Sequence, residues 1–193
     1  MTRFMHAIAL GFLFHPLCLY ASPVSYRIDT QNTTISLSWH AFGSVSEASM
    51  GKVTGGITLD AGDERADRID VTIPAATLEA SNSLLTYQMK SRPFFDAERY
   101  PNIAFTSSRV VALGNGHFRL FGTLKIKNVT RPVMLYAALD ERKAASSRTE
   151  ILVMHASTAI SRSAFNMDSV AALVDDTVAI NIEIQARAYQ GAE

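Results

Sequence analysis

Two-residue alternation of apolar and polar side chains, repeated along most of the chain, is the feature that restricts the fold most. Between Thr33 and His40, Ile35, Leu37 and Trp39 fall on one face while Thr34, Ser36 and Ser38 fall on the other. Ile69, Val71 and Ile73 alternate up to Pro74, and Val178, Ile180, Ile182 and Ile184 alternate against Asn181, Glu183 and Gln185. Such a pattern marks strands with one buried and one solvated face, the habit of antiparallel sheets. Val45 to Leu59 reads as one long strand whose Gly51, Gly55 and Gly56 mark a bend or bulge. Ile103 to Leu113 pairs with His117 to Lys127 across Gly114-Asn115-Gly116, a loop rich in residues that tolerate positive φ. Leu120, Leu124 and Ile126 share a face with Gly122, which removes side-chain volume from that row. Pro132 is expected to open the next strand, and Ile151 to Ile160 and Thr177 to Ala188 are two more. Ser83 to Lys90 is the one good helical candidate, with Ser81 or Ser83 as its cap. Roughly eight one-sided strands joined mostly by short turns predict an all-β, eight-stranded antiparallel barrel with a short helical segment near one end. A sandwich would satisfy the same alternation.

Phe94 to Phe105 sets an aromatic pair and a charged turn directly before a strand. Tyr100 is pushed towards extended geometry by Pro101, and Pro101 fits a strand's beginning because it lacks an N–H. A bulky apolar cluster is thereby hinged onto a sheet edge, as a mouth, a lid or a plug.

The first residues read as an address. Arg3 supplies a positive start, Phe4 to Leu19 is almost wholly apolar, and Ala21-Ser22 offers a cut site. This is the layout of a secretory signal peptide over 1–21, leaving one domain over 22–193 and an expected periplasmic location. Cys18 invites a lipoprotein reading, but Leu17 stands where a small residue is expected. Loss of Arg3 turns eighteen basic and eighteen acidic residues into seventeen against eighteen, a net charge of −1. No basic field is left for nucleic acid, and the apolar run is too interrupted for stable membrane insertion. Without its only cysteine the domain depends on packing rather than disulfides.

The chain resembles the YceI-like family of exported bacterial proteins. The landmarks are Tyr26-Arg27-Ile28-Asp29, Trp39-His40-Ala41-Phe42-Gly43, Phe94-Phe95-Asp96 and Tyr100-Pro101-Asn102-Ile103-Ala104-Phe105. Gly122-Thr123-Leu124-Lys125-Ile126, Val129-Thr130-Arg131-Pro132-Val133 and Ile160 to Met167 complete them. The resemblance implies a lipocalin-like barrel whose lumen holds an amphiphilic lipid: a polyisoprenoid, a quinone-type lipid or a fatty chain. The sequence departs from the family's pattern at Lys127 and Asn128, where a histidine and a glycine are usual, and at Asn166, where a glycine is. Asn tolerates left-handed geometry, so both turns are expected to survive.

Trp39, Phe42, Leu85, Met89, Phe94, Phe95, Phe105, Leu124, Ile126, Leu135, Phe165, Met167 and Ile182 are the candidates for lumen and mouth, and His40, Tyr87 and Arg92 for the head group. A barrel of this size is either filled by side chains or holds one small ligand. A filled, ligand-free interaction module is therefore the alternative. No enzyme is expected: His40, His117 and His155 are widely separated, and no nucleophile elbow or P-loop occurs. No metal or cofactor is expected beyond a bound lipid, and nothing in the sequence decides between monomer and dimer.

Overall fold

The computed structural model describes residues 23–60, 63, 65–140 and 151–189. The expected signal peptide, and the charged stretch after Asp140, lie outside the described residues. The strands are β1 (Val24–Ile28), β2 (Thr34–Ala41), β3 (Ser44–Met50), β4 (Thr54–Leu59), β5 (Arg68–Pro74) and β6 (Glu79–Ala80). After helix α1 (Ser83–Lys90) come β7 (Asn102–Gly114), β8 (His117–Ile126), β9 (Val129–Leu139), β10 (Ile151–Ser161) and β11 (Thr177–Tyr189). All pairings are antiparallel, and β1 bonds to both β4 and β11, closing the circuit β1-β4-β5-β7-β8-β9-β10-β11. The molecule is a closed eight-stranded barrel, not a sandwich.

β2, β3 and β6 prolong β1, β4 and β5 after breaks, and side-chain hydroxyls patch the ladder near each break. Where the first path is interrupted at 29–33, the buried Thr33 hydroxyl accepts the Gln185 N–H (3.2 Å). Val45 to Leu59 is not one strand, because the ladder stops at Gly51 to Val53 and the Gly51 N–H is taken by Thr77 Oγ1 (3.2 Å). In β7 the pairing slips between Ser107 and Arg109, and Ser107 Oγ accepts the Ile69 N–H (2.8 Å) in the core. Unpaired backbone donors in a buried wall cost a full desolvation penalty, so these hydroxyls hold the barrel together where strands bend.

Three local expectations are corrected. Asn82, not Ser81 or Ser83, caps α1, accepting the Leu85 N–H at 2.8 Å. Pro132 lies inside β9 opposite Thr123 rather than at its start. It is tolerated because β9 pairs with β10 only from Tyr136 onward, so no ladder bond on that side needs its N–H. In the β8–β9 turn the left-handed residue is Lys127 (φ 56°), whereas Asn166 (φ 56°) is left-handed as expected.

Up-and-down order puts the Phe42–Gly43 turn, α1 with residues 91–101, the Lys127–Asn128 turn and residues 162–176 at one end of the barrel. At the other end Ile28, Ile57, Val110, Ala137 and Ala186 are packed into a solid floor.

Gly55 has φ 144°, and a Cβ there would stand 2.0 Å from the Asp70 carbonyl oxygen on β5. Gly55→Ala is therefore expected to cost roughly 2 kcal/mol or more in urea unfolding. Gly43→Ala meets no atom within 4 Å, so it should lose only the left-handed term of about 1–2 kcal/mol.

Candidate functional site

Above the floor the barrel is hollow. A cavity of about 730 Å³ runs from mid-barrel to the end carrying α1. Its wall is built by the inward rows of the strands: Ile35, Leu37 and Trp39 from β2, Leu120, Leu124 and Ile126 from β8, and Ile180, Ile182 and Ile184 from β11. Among the described residues β6 and β7 are not paired, and there the wall is completed by α1 and the turn after it. Leu85, Met89, Phe94 and Phe95 face the cavity from this segment. Backbone bonds from Phe95 N–H to Met89 O (3.0 Å) and Ala97 N–H to Lys90 O (2.9 Å) fold the turn back onto the helix. Phe94 and Phe95 are thus part of the wall.

All the expected lumen residues except Phe165 line this cavity. Phe165 is fully buried in the 3-10 turn Ser163–Phe165 and is not on the wall. None of the three head-group candidates is on the wall either. Tyr87 and Arg92 are exposed, and His40 points outward with Nδ1 3.7 Å from Asp175 Oδ2. The polar residues that do line the cavity are Ser46, Asn82, Gln88, Ser91, Thr158 and Arg162. Gly122 does not enlarge the lumen: a Cβ there would fall 2.7 Å from the Phe105 ring, so the ring occupies the space the glycine leaves.

Arg162 is not among the expected site residues. It lines the cavity yet is 5% exposed, a guanidinium set among apolar walls. Its Nε donates to Asp175 O (2.9 Å), one terminal nitrogen to Met167 O and Ser169 O (2.9 Å), and the other to Val174 O (2.9 Å). These four carbonyls tie residues 167–175 into a fixed loop beside the mouth. Asp176 secures its far end, accepting from the Ser161 hydroxyl and from the Ser163 N–H (2.8 Å). Those hydrogen bonds, the Ser161 one first, hold its carboxyl below the ordinary carboxylate value. On the neighbouring turn Lys127 donates to Asn166 O (2.8 Å), and partial burial lowers its amine against the pull of Asp96 and Asp168. Only the family landmark around Arg162 marked the position in the sequence, since arginine is ordinarily a solvated residue.

Among the described residues no group of three or more His, Cys, Asp or Glu is placed to hold a metal ion. His155, between Asp140 (3.8 Å) and Glu183 (3.4 Å), is on the polar face of β10, away from the lumen.

Fold and site together define a lipocalin-like barrel with a blind, apolar lumen. The chain belongs to the YceI-like family, whose domain model matches residues 26–186. It is 32% identical over 85 residues to a UPF0312 protein of Photorhabdus laumondii, covering 44% of each chain. A UPF0312 protein of Vibrio cholerae is 26% identical over 120 residues, 61% of this chain and 64% of that one. The chain thus spans less than two thirds of the length of these relatives. Among solved structures, BcnA of Burkholderia cenocepacia superposes with a TM-score of 0.73 at 20% identity, over 82% of this chain and 98% of that one. A polyisoprenoid binding domain from Saccharophagus degradans gives 0.64 at 13% identity, over 86% and 99%. At these identities the likeness shows the fold.

Arg162→Met should destabilise the protein by about 3 kcal/mol, because the loop carbonyls lose their donors. Amide exchange should rise across residues 167–175 and stay unchanged on β7 and β8. Arg162→Lys should recover little of this, lacking the planar fork. Asp176 contributes stability that is present above the ordinary carboxylate range and lost as pH falls through its lowered folded value. Melting temperatures taken from about pH 5 down to about pH 2 should therefore fall less steeply for Asp176→Asn than for the parent protein.

Proposed function

We propose that the protein is a non-catalytic carrier that holds one long amphiphilic lipid in the barrel, tail inward and head group at the mouth. The observation that carries this reading is the one-ended cavity of about 730 Å³, bordered on nearly every side by aliphatic and aromatic side chains. Protein interiors are packed to crystal density with few voids larger than a water molecule, so a space of this size does not belong to a filled barrel. It falls within the usual range for small-molecule sites, about 300–1,000 Å³. The polyisoprenoid-binding description of the Saccharophagus relative agrees in ligand class. A polyisoprenoid, a quinone-type lipid or a fatty chain meets the chemistry of the wall, with Ser46, Asn82 and Gln88 as the polar contacts for its head. The periplasm is the proposed location, and it rests on the secretory signal peptide expected over 1–21.

Burial gives about 0.8 kcal/mol per methylene, so a dozen such groups contribute roughly 10 kcal/mol. Association itself costs about 4–15 kcal/mol, which excludes short amphiphiles and favours long ones.

Native mass spectrometry of protein purified without detergent, followed by organic extraction, tests the reading. A lipid adduct is expected, and reloading with a homologous series should gain about fourfold in affinity per methylene until the chain outgrows the cavity. Repeated recovery of empty protein that also refuses quinones and fatty amides would sink the proposal. Leu124→Trp should block uptake with little loss of stability, since the indole enters open space. A drop of about 1–3 kcal/mol or more would instead indicate an overpacked core.

A further inference from the structure

The cavity's opening is ringed by large apolar side chains that face outward. Phe42 and Val45 at the β2–β3 turn, Leu84 and Tyr87 on α1, and Val170 and Leu173 in the loop tied down by Arg162 are each between 50 and 74% exposed. They come from three separate segments, and all stand at the same end of the barrel. Phe42, Leu84 and Val170 also border the cavity, so the lip and the lumen form one continuous apolar surface.

The backbone holds this arrangement against its own preference. Phe42 has φ 52° and Val170 φ 59°, left-handed conformations that are uncommon for a bulky residue and a true outlier for a β-branched one. They persist because the two tips are bonded together, Phe42 N–H to Leu173 O at 2.9 Å and Ala41 bridged to Val174. Strain of this kind concentrates where function requires a geometry.

We propose that this lip docks onto the surface of a lipid bilayer, so that an apolar ligand passes between membrane and lumen without crossing water. Charge argues for hydrocarbon rather than a charged partner. Basic Lys90, Arg92, Arg99, Lys127 and Arg131 share this end with acidic Asp96, Glu98, Asp168, Asp175 and Asp176, leaving no single-signed field. Shape argues the same way: three projecting tips penetrate a fluid interface, whereas a stable protein partner needs a complementary patch of about 800 Å². An amphipathic helix with Tyr and Leu outward and Lys at its end suits the headgroup boundary.

Flotation with phosphatidylcholine vesicles, alone and with added phosphatidylglycerol, tests this. The protein is taken after export, with its mass establishing the N-terminus. Binding is expected to both vesicle types and to survive high salt. Val45 and Leu173 do not border the cavity, so the double variant Val45→Ser, Leu173→Ser should keep its lipid in native mass spectrometry. It should lose roughly tenfold or more of its vesicle binding. Leu124→Trp should still float, which separates docking from lumen occupancy. Absence of flotation, binding erased by salt, or equal flotation of parent and double variant overturns the proposal. So does a self-association in sedimentation velocity that the same substitutions abolish without any vesicle binding, which would assign the lip to a second copy of the chain.

Discussion

Closure of the hydrogen-bonded circuit is the constraint from which the rest of the structure follows. Once β11 bonds to β10 on one side and to β1 and β2 on the other, the circuit β1-β4-β5-β7-β8-β9-β10-β11 has no free edge and its radius is fixed by strand number. Alternation then sends every second side chain inward, and what those side chains can reach decides whether the inside is solid. At the floor, Ile28, Ile57, Val110, Ala137 and Ala186 meet and fill the space. Higher up, the same kinds of residue line the wall around an open space, and α1 with Phe94 and Phe95 completes the side where a strand is absent. A cavity in such a barrel needs no special residue.

The fold was largely legible because alternation reports directly on which face is buried. Ile35, Leu37 and Trp39, or Ile180 and Ile184, required no more than that, and α1 was delimited by its own spacing. What was illegible depended on contacts distant in sequence. The break at Gly51 to Val53 is set by Thr77, and the role of Gly122 by the Phe105 ring from the neighbouring strand β7. Pro132 looked like a strand opener because the splaying of β9 from β10 cannot be read from β9 alone.

The candidate site divides in the same way. Wall residues were found because a barrel's inward row and its lumen are the same row. Phe165 was misplaced for lack of any pattern in a single 3-10 turn, and the head-group candidates were chosen for chemistry without knowledge of direction. Arg162 shows the converse: its four bonds go to backbone carbonyls, which carry no side-chain identity and so leave no trace in the sequence. A buried charge satisfied this way acts as a mechanical knot for the mouth loop.

The pairing of β1 with β11 has a consequence in time. Ser25 lies opposite Tyr189, so the first and last described strands are neighbours and the circuit cannot close until every strand from β1 to β11 is available. Contacts of such long sequence separation slow folding, because loop-closure entropy is spent before they form. Until β11 arrives, both β10 and the β1–β2 path are open edges with apolar faces exposed, the state most prone to aggregation. The circuit that ends closed therefore passes through an open, adhesive sheet, and β11 sets how long that interval lasts.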